Sequence, residues 1–84
     1  MTYSVFIGLL DESDKPEITN FQSVPLPWDE ARRIMFEKLR GFEIDDCVQC
    51  WSDAMRTINR LSDAQPGRFE AEVDGEDYVI FENP

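Results

Sequence analysis

Asp74-Gly75 sits between two runs that alternate apolar and polar residues, Arg68–Val73 and Tyr78–Glu82. Asp-Gly in that setting is a strong short-range hairpin signal, because both residues tolerate the positive φ that a tight turn demands. The last third of the chain is therefore predicted to be an antiparallel hairpin around "DGED", residues 74–77. With either loop length that the Asp-Gly pair permits, Phe69, Ala71 and Val73 share a face with Tyr78 and Ile80. That face is apolar, and other elements must cover it.

The middle of the chain supplies the cover. Pro27 presets the φ of a first helical turn, and Asp29 and Glu30 follow where the helix dipole favours anions. Trp28, Ala31, Met35, Leu39 and Phe42 recur at spacings of three and four, so "PWDEARRIMFEKLRGF" reads as an amphipathic helix ending at Gly41. A second helix is expected from an N-cap at Asp45, with Val48, Trp51, Met55, Ile58 and Leu61 as its stripe. The short link "GFEI" predicts that the two helices run antiparallel.

The N-terminal "TYSVFIGLL", residues 2–10, is rich in β-branched and aromatic residues and reads as a strand. "DESDKP" is a polar turn, and "EITNFQSV", residues 17–24, reads as a second strand before "PLP" extends the backbone. The chain is thus predicted to be a single α+β domain over 1–84, in the order β(β)ααββ. Its antiparallel sheet should carry both helices on one face. The expected core is Trp28, Met35, Leu39, Val48, Trp51, Met55, Ile58, Phe69, Ala71 and Ile80.

Charge narrows the function. Eighteen acids oppose eight bases for a net charge of −10. Phosphate contacts require Lys and Arg, so direct nucleic-acid binding and an anionic membrane surface are both disfavoured. No apolar run is long enough to span a bilayer, the N-terminus lacks a basic leader, and a cytoplasmic protein is expected. The charge is uneven. Residues 27–62 hold seven acids and six bases, whereas residues 63–84 hold seven acids and one base, Arg68.

Two cysteines, Cys47 and Cys50, invite a metal or redox reading. With no histidine and no third cysteine, a zinc site within one chain is excluded unless carboxylates fill in. Cys47 falls near the centre of the second helix's stripe and Cys50 at its edge. Glu43, Asp46 and Asp53 disfavour a thiolate, and no cation lies within four residues. Buried, reduced, structural cysteines are the expectation, with a thiol-disulfide protein using both as the alternative. The lack of histidine also rules out Ser-His-Asp and Cys-His arrangements. "DESDKPE" lacks the glycine and length of an EF-hand. No catalytic residue, metal ligand or cofactor is assigned.

The acidic hairpin is the remaining candidate. Glu70, Glu72, Asp74, Glu76 and Asp77 crowd into it, with Val79 and Phe81 on the face opposite Tyr78 and Ile80. An apolar centre inside an acidic rim has the anatomy of a binding patch. The expected function is a small non-enzymatic binding protein, a regulator or inhibitor docking on a basic partner through this patch. A nucleic-acid-binding partner would make it a nucleic-acid mimic. In composition the chain resembles small acidic accessory proteins of phages and mobile elements, which bind host factors. A self-associating subunit, with Val79 and Phe81 as a homodimer contact, is the other alternative.

Overall fold

The computed structural model describes residues 1–84. Six elements follow in the order β1 (Thr2–Leu10), β2 (Pro16–Gln22), α1 (Trp28–Arg40), α2 (Val48–Ser62), β3 (Phe69–Val73) and β4 (Glu76–Asn83). One antiparallel sheet has the strand order β2-β1-β4-β3. The α+β class and element order are those expected from the sequence.

The chain leaves the sheet at the β2 edge, crosses one face as two helices and returns at the β3 edge. Helix α1 packs on β1 and β4, and α2 packs on β3. The core lies between the layers. Tyr3, Val5, Ile7, Phe69, Val73, Tyr78 and Ile80 from the sheet meet Ala31, Met35, Leu39, Ala54 and Leu61 from the helices. Each large side chain fully buried there contributes roughly 1.5–3 kcal/mol.

The opposite, outer face is also closed near its middle. Cross-strand register places Gln22, Phe6, Val79 and Glu70 in one row. Phe6 and Val79 in the centre of that row are buried. Two register shifts interrupt the β1–β2 pairing, between Ile7 and Gly8 and between Leu9 and Leu10. Such bulges bend a ribbon. The bent tip lies across the outer face, where Asp14, Lys15 and Pro16 share a cleft with Val79, Phe81 and Arg68. At the bend, Gly8 leaves no room for a Cβ, which would overlap the Ile18 carbonyl oxygen.

Helix α1 begins at Trp28, one residue later than predicted, with Pro27 as its N-cap rather than inside the first turn. Tyr3 and Leu26 exchange backbone hydrogen bonds of 2.7 and 2.8 Å. Trp28 then sets its ring edge-on to Tyr3, with centroids 5.3 Å apart. Helix α2 differs from expectation at its start. Asp46 N–H donates to the Glu43 carbonyl, closing a turn that holds Asp45 outside the helix. Cys47 is the N-cap instead, and its Sγ accepts from Cys50 N–H at 3.1 Å.

The buried side of α2 is also rotated from the predicted stripe. Cys50, Ala54, Thr57 and Leu61 face the core, while Met55 and Ile58 are half-buried against it. Val48 is 65% exposed and Trp51 37% exposed, so neither is a core residue. Apolar residues cover so wide an arc of this helix that periodicity alone does not fix its contact side. Small residues allow the closest approach to a sheet, and the face bearing Cys50, Ala54 and Thr57 wins. The buried Thr57 hydroxyl is satisfied by donating to the Asp53 carbonyl at 2.7 Å.

Candidate functional site

The β3–β4 turn has the backbone that its sequence demands: Asp74 and Gly75 take φ of 55° and 77°. This geometry holds the Asp74 carboxylate against the first turn of α2, where Oδ1 lies 3.3 Å from Cys50 Sγ. Asp74 therefore reaches the start of α2, the helix that follows the acidic α1–α2 loop. The α1–α2 loop brings Glu43, Asp45 and Asp46, all exposed. The hairpin end brings exposed Glu72 and Asp74, with Glu76 and Asp77 half-buried behind them. Sequence reading located the hairpin acids and missed the loop's contribution, because only the tertiary contact through Cys50 joins them.

The hairpin carboxylates are not equivalent. Glu70 is engaged by Arg68, with Nε 2.6 Å from Oε1. Glu76 accepts from the Asn20 side chain. Asp77 Oδ2 accepts from Leu10 N–H at 3.0 Å, which ties β4 to the end of β1. Of these acids Glu72 is exposed without a partner, and Asp74 is exposed with one oxygen resting on Cys50 Sγ. Val79, expected at the patch centre, is 1% exposed beneath the bent tip of the β1–β2 hairpin. Phe81 is half-buried, so only it brings apolar surface there. The reason is the bend at Gly8, which strand alternation does not reveal.

Two of these acids also act on Tyr78. Burial pushes its hydroxyl up to about 12, and the neighbouring Glu76 and Asp74 charges add to the rise.

The cysteines overturn the expectation of two reduced thiols with Cys47 in the core. Cys47 and Cys50 are paired as a disulfide across the N-terminus of α2. Cys50 is buried and Cys47 is half-buried, the reverse of the order read from the stripe. The N-cap position explains this: it turns Cys47 away from the helical face and aims its sulfur at the Cys50 amide. Around the pair lies apolar surface from Ile44, Val48 and Trp51, of which Ile44 is 48% exposed. These five residues combine a disulfide with an apolar apron, and Asp45, Asp46 and Asp74 stand beside them.

Two concavities mark the surface. The outer-face cleft is about 120 Å³ and has Leu10, Val79 and Phe81 with Lys15 and Arg68 at its walls. A wider, open depression of about 640 Å³ lies between the strand ends, with Glu82 its only acidic or basic side chain. No helix is long and apolar enough to cross a membrane. Comparison with family models, with curated proteins and with solved structures finds no match to this chain.

Proposed function

We propose that this chain is a small acidic binding protein that docks on a basic partner protein and regulates or inhibits it without catalysing a reaction. The observation that supports the reading is the set of exposed carboxylates, Glu43, Asp45 and Asp46 in the α1–α2 loop with Glu72 and Asp74 on the β3–β4 hairpin, linked where Asp74 touches Cys50. Elsewhere, the helix charges are largely paired among themselves, as in Arg33–Glu37 at 2.8 Å and Arg56–Asp53 at 2.9 Å. Paired charges produce little long-range field, whereas like charges within about one Debye length, ~8 Å at physiological salt, add their potentials. Such a set accelerates encounter with a basic surface and sets its orientation. Where the partner binds nucleic acid, the same carboxylates compete with phosphates for its Lys and Arg.

The reading is tested by changing Asp45, Asp46 and Glu72 to amides and measuring association with the partner recovered from the native cell. These three carboxylates accept no hydrogen bond that holds the fold. The association rate should fall by about tenfold at low salt and converge with wild type at high salt. An unchanged rate in a folded variant would show that these carboxylates serve solubility only.

A further inference from the structure

We propose that Cys47–Cys50 is an exchange-active disulfide that captures a thiol carried beside positive charge, such as a cysteine flanked by Lys or Arg on a basic protein. Three observations carry this. The disulfide spans the first turn of α2 with unequal access, Cys47 half-buried and Cys50 buried, so an incoming thiolate reaches Cys47. Ile44, Val48 and Trp51 present apolar surface around it for the chain that bears the thiol. The charges nearest the pair are acidic: Asp45 and Asp46 precede Cys47, Glu43 lies in the same loop, and Asp74 touches Cys50. Asp53, the next acid along the helix, is already neutralised by Arg56 at 2.9 Å.

The chemistry balances as ordinary exchange. A thiolate attacks Cys47 Sγ, a mixed disulfide forms, and the Cys47–Cys50 bond breaks with Cys50 leaving as thiolate. Cys50 then takes a proton from water. Its new S–H lies 3.3 Å from Asp74 Oδ1 and donates to it. While the disulfide stands, that sulfur has no proton and the same distance is only a packing contact. A second thiolate attacking the captured sulfur completes the exchange: two thiols become one disulfide, and the protein disulfide becomes two thiols.

The acidic surround sets the selectivity. An approaching anionic thiol is repelled, while a cationic one is attracted and supplies the positive charge that the pair lacks. The inference uses the carboxylates of the docking reading but not its partner. Small thiols test it alone, so either idea can fail without the other.

The experiment reduces the wild-type disulfide with cysteamine, 2-mercaptoethanol and 2-mercaptoethanesulfonate, cationic, neutral and anionic in turn. Rates are followed by tryptophan fluorescence and compared per thiolate. At low salt the cationic thiol should react about tenfold faster than the anionic one, and the ratio should shrink toward unity near ~1 M salt. An anionic thiol that reacts as fast as the cationic one overturns the selectivity. In parallel, with cystamine as the disulfide that is attacked, Cys50→Ser should accumulate a mixed disulfide at Cys47 with release of one cysteamine, whereas Cys47→Ser should leave Cys50 slow to react. Equal reactivity of the two variants, or two free thiols that persist when the reduced wild-type protein is treated with cystamine, overturns the exchange site itself.

Discussion

Replacing Gly8 by alanine tests the bend that closes the outer face of the sheet. The new Cβ would overlap the Ile18 carbonyl oxygen and meet the Phe6 ring at 3.0 Å. The first obstacle is backbone of the paired strand, which has no rotamer to give. Strands β1 and β2 must part, and the buried Phe6 must shift with them. Overpacking costs roughly 1–3 kcal/mol, and each ladder hydrogen bond lost adds roughly 0.5–1.5 kcal/mol. The sum is about 3–4 kcal/mol, a large share of the 5–15 kcal/mol expected for a domain. In a domain of this size that lowers the Tm by roughly 12–32 °C. Gly75→Ala is the internal control. Its φ of +77° penalises any side chain, but nothing lies within 4 Å of the added atom, so it should cost about 1 kcal/mol. Thermal and urea unfolding of both variants by circular dichroism makes the comparison. If Gly8→Ala proves no worse than Gly75→Ala, the close approach to Ile18 is not what fixes the bend.

Three further outcomes follow from the same structure. Tyr78 ionises at about 12 against an ordinary value of 10.0, so its contribution is intact below pH 10 and lost as pH rises through 12. Phenolate absorbance should show that late step together with alkaline unfolding, and a Tyr78 phenolate already half formed near pH 10 in a folded protein would contradict it. Closing the short Cys47–Cys50 loop contributes about 2 kcal/mol on the chain-entropy account. Calorimetry should therefore show the Tm falling by roughly 10 °C after phosphine reduction, and an unchanged Tm counts against it. Met35→Ala, at a position with no exposure, should cost about 3 kcal/mol in urea titration. A loss under 1 kcal/mol would mean that the core can collapse around the gap.

What could be read in advance divides along physical lines. Period and turn chemistry are local. Asp74-Gly75 announced its turn, Pro27 announced the start of α1, and Ala31, Met35 and Leu39 point inward as their spacing requires. Helix α2 was legible as a helix, but not in its rotation, because Val48 and Trp51 are as apolar as the residues that displaced them. Its start was misread for a related reason. Asp45 is the stronger capping residue by type, yet the preceding turn leaves Cys47 extended and the sulfur does the capping. The acidic hairpin was visible as composition. Its approach to the start of α2 and the covering of Val79 both depend on contacts between distant segments, which no window of sequence holds.

The pairing of Thr2 with Asn83 puts the first and last strands side by side in the middle of the sheet. This has a consequence at the ribosome. Synthesis at ~5–20 residues per second leaves β1 without its inner neighbour for several seconds. Throughout that interval Val5, Phe6 and Ile7 have at most β2 beside them, and an isolated two-stranded ribbon is marginal in water. The nascent chain therefore carries an open, apolar strand edge, a template for pairing with another copy. Closure joins residues almost a chain length apart, the kind of contact that slows folding. The vulnerable form of this protein is thus the unfinished one. Yield should respond to translation speed, temperature and holdase chaperones far more than the stability of the folded molecule would suggest.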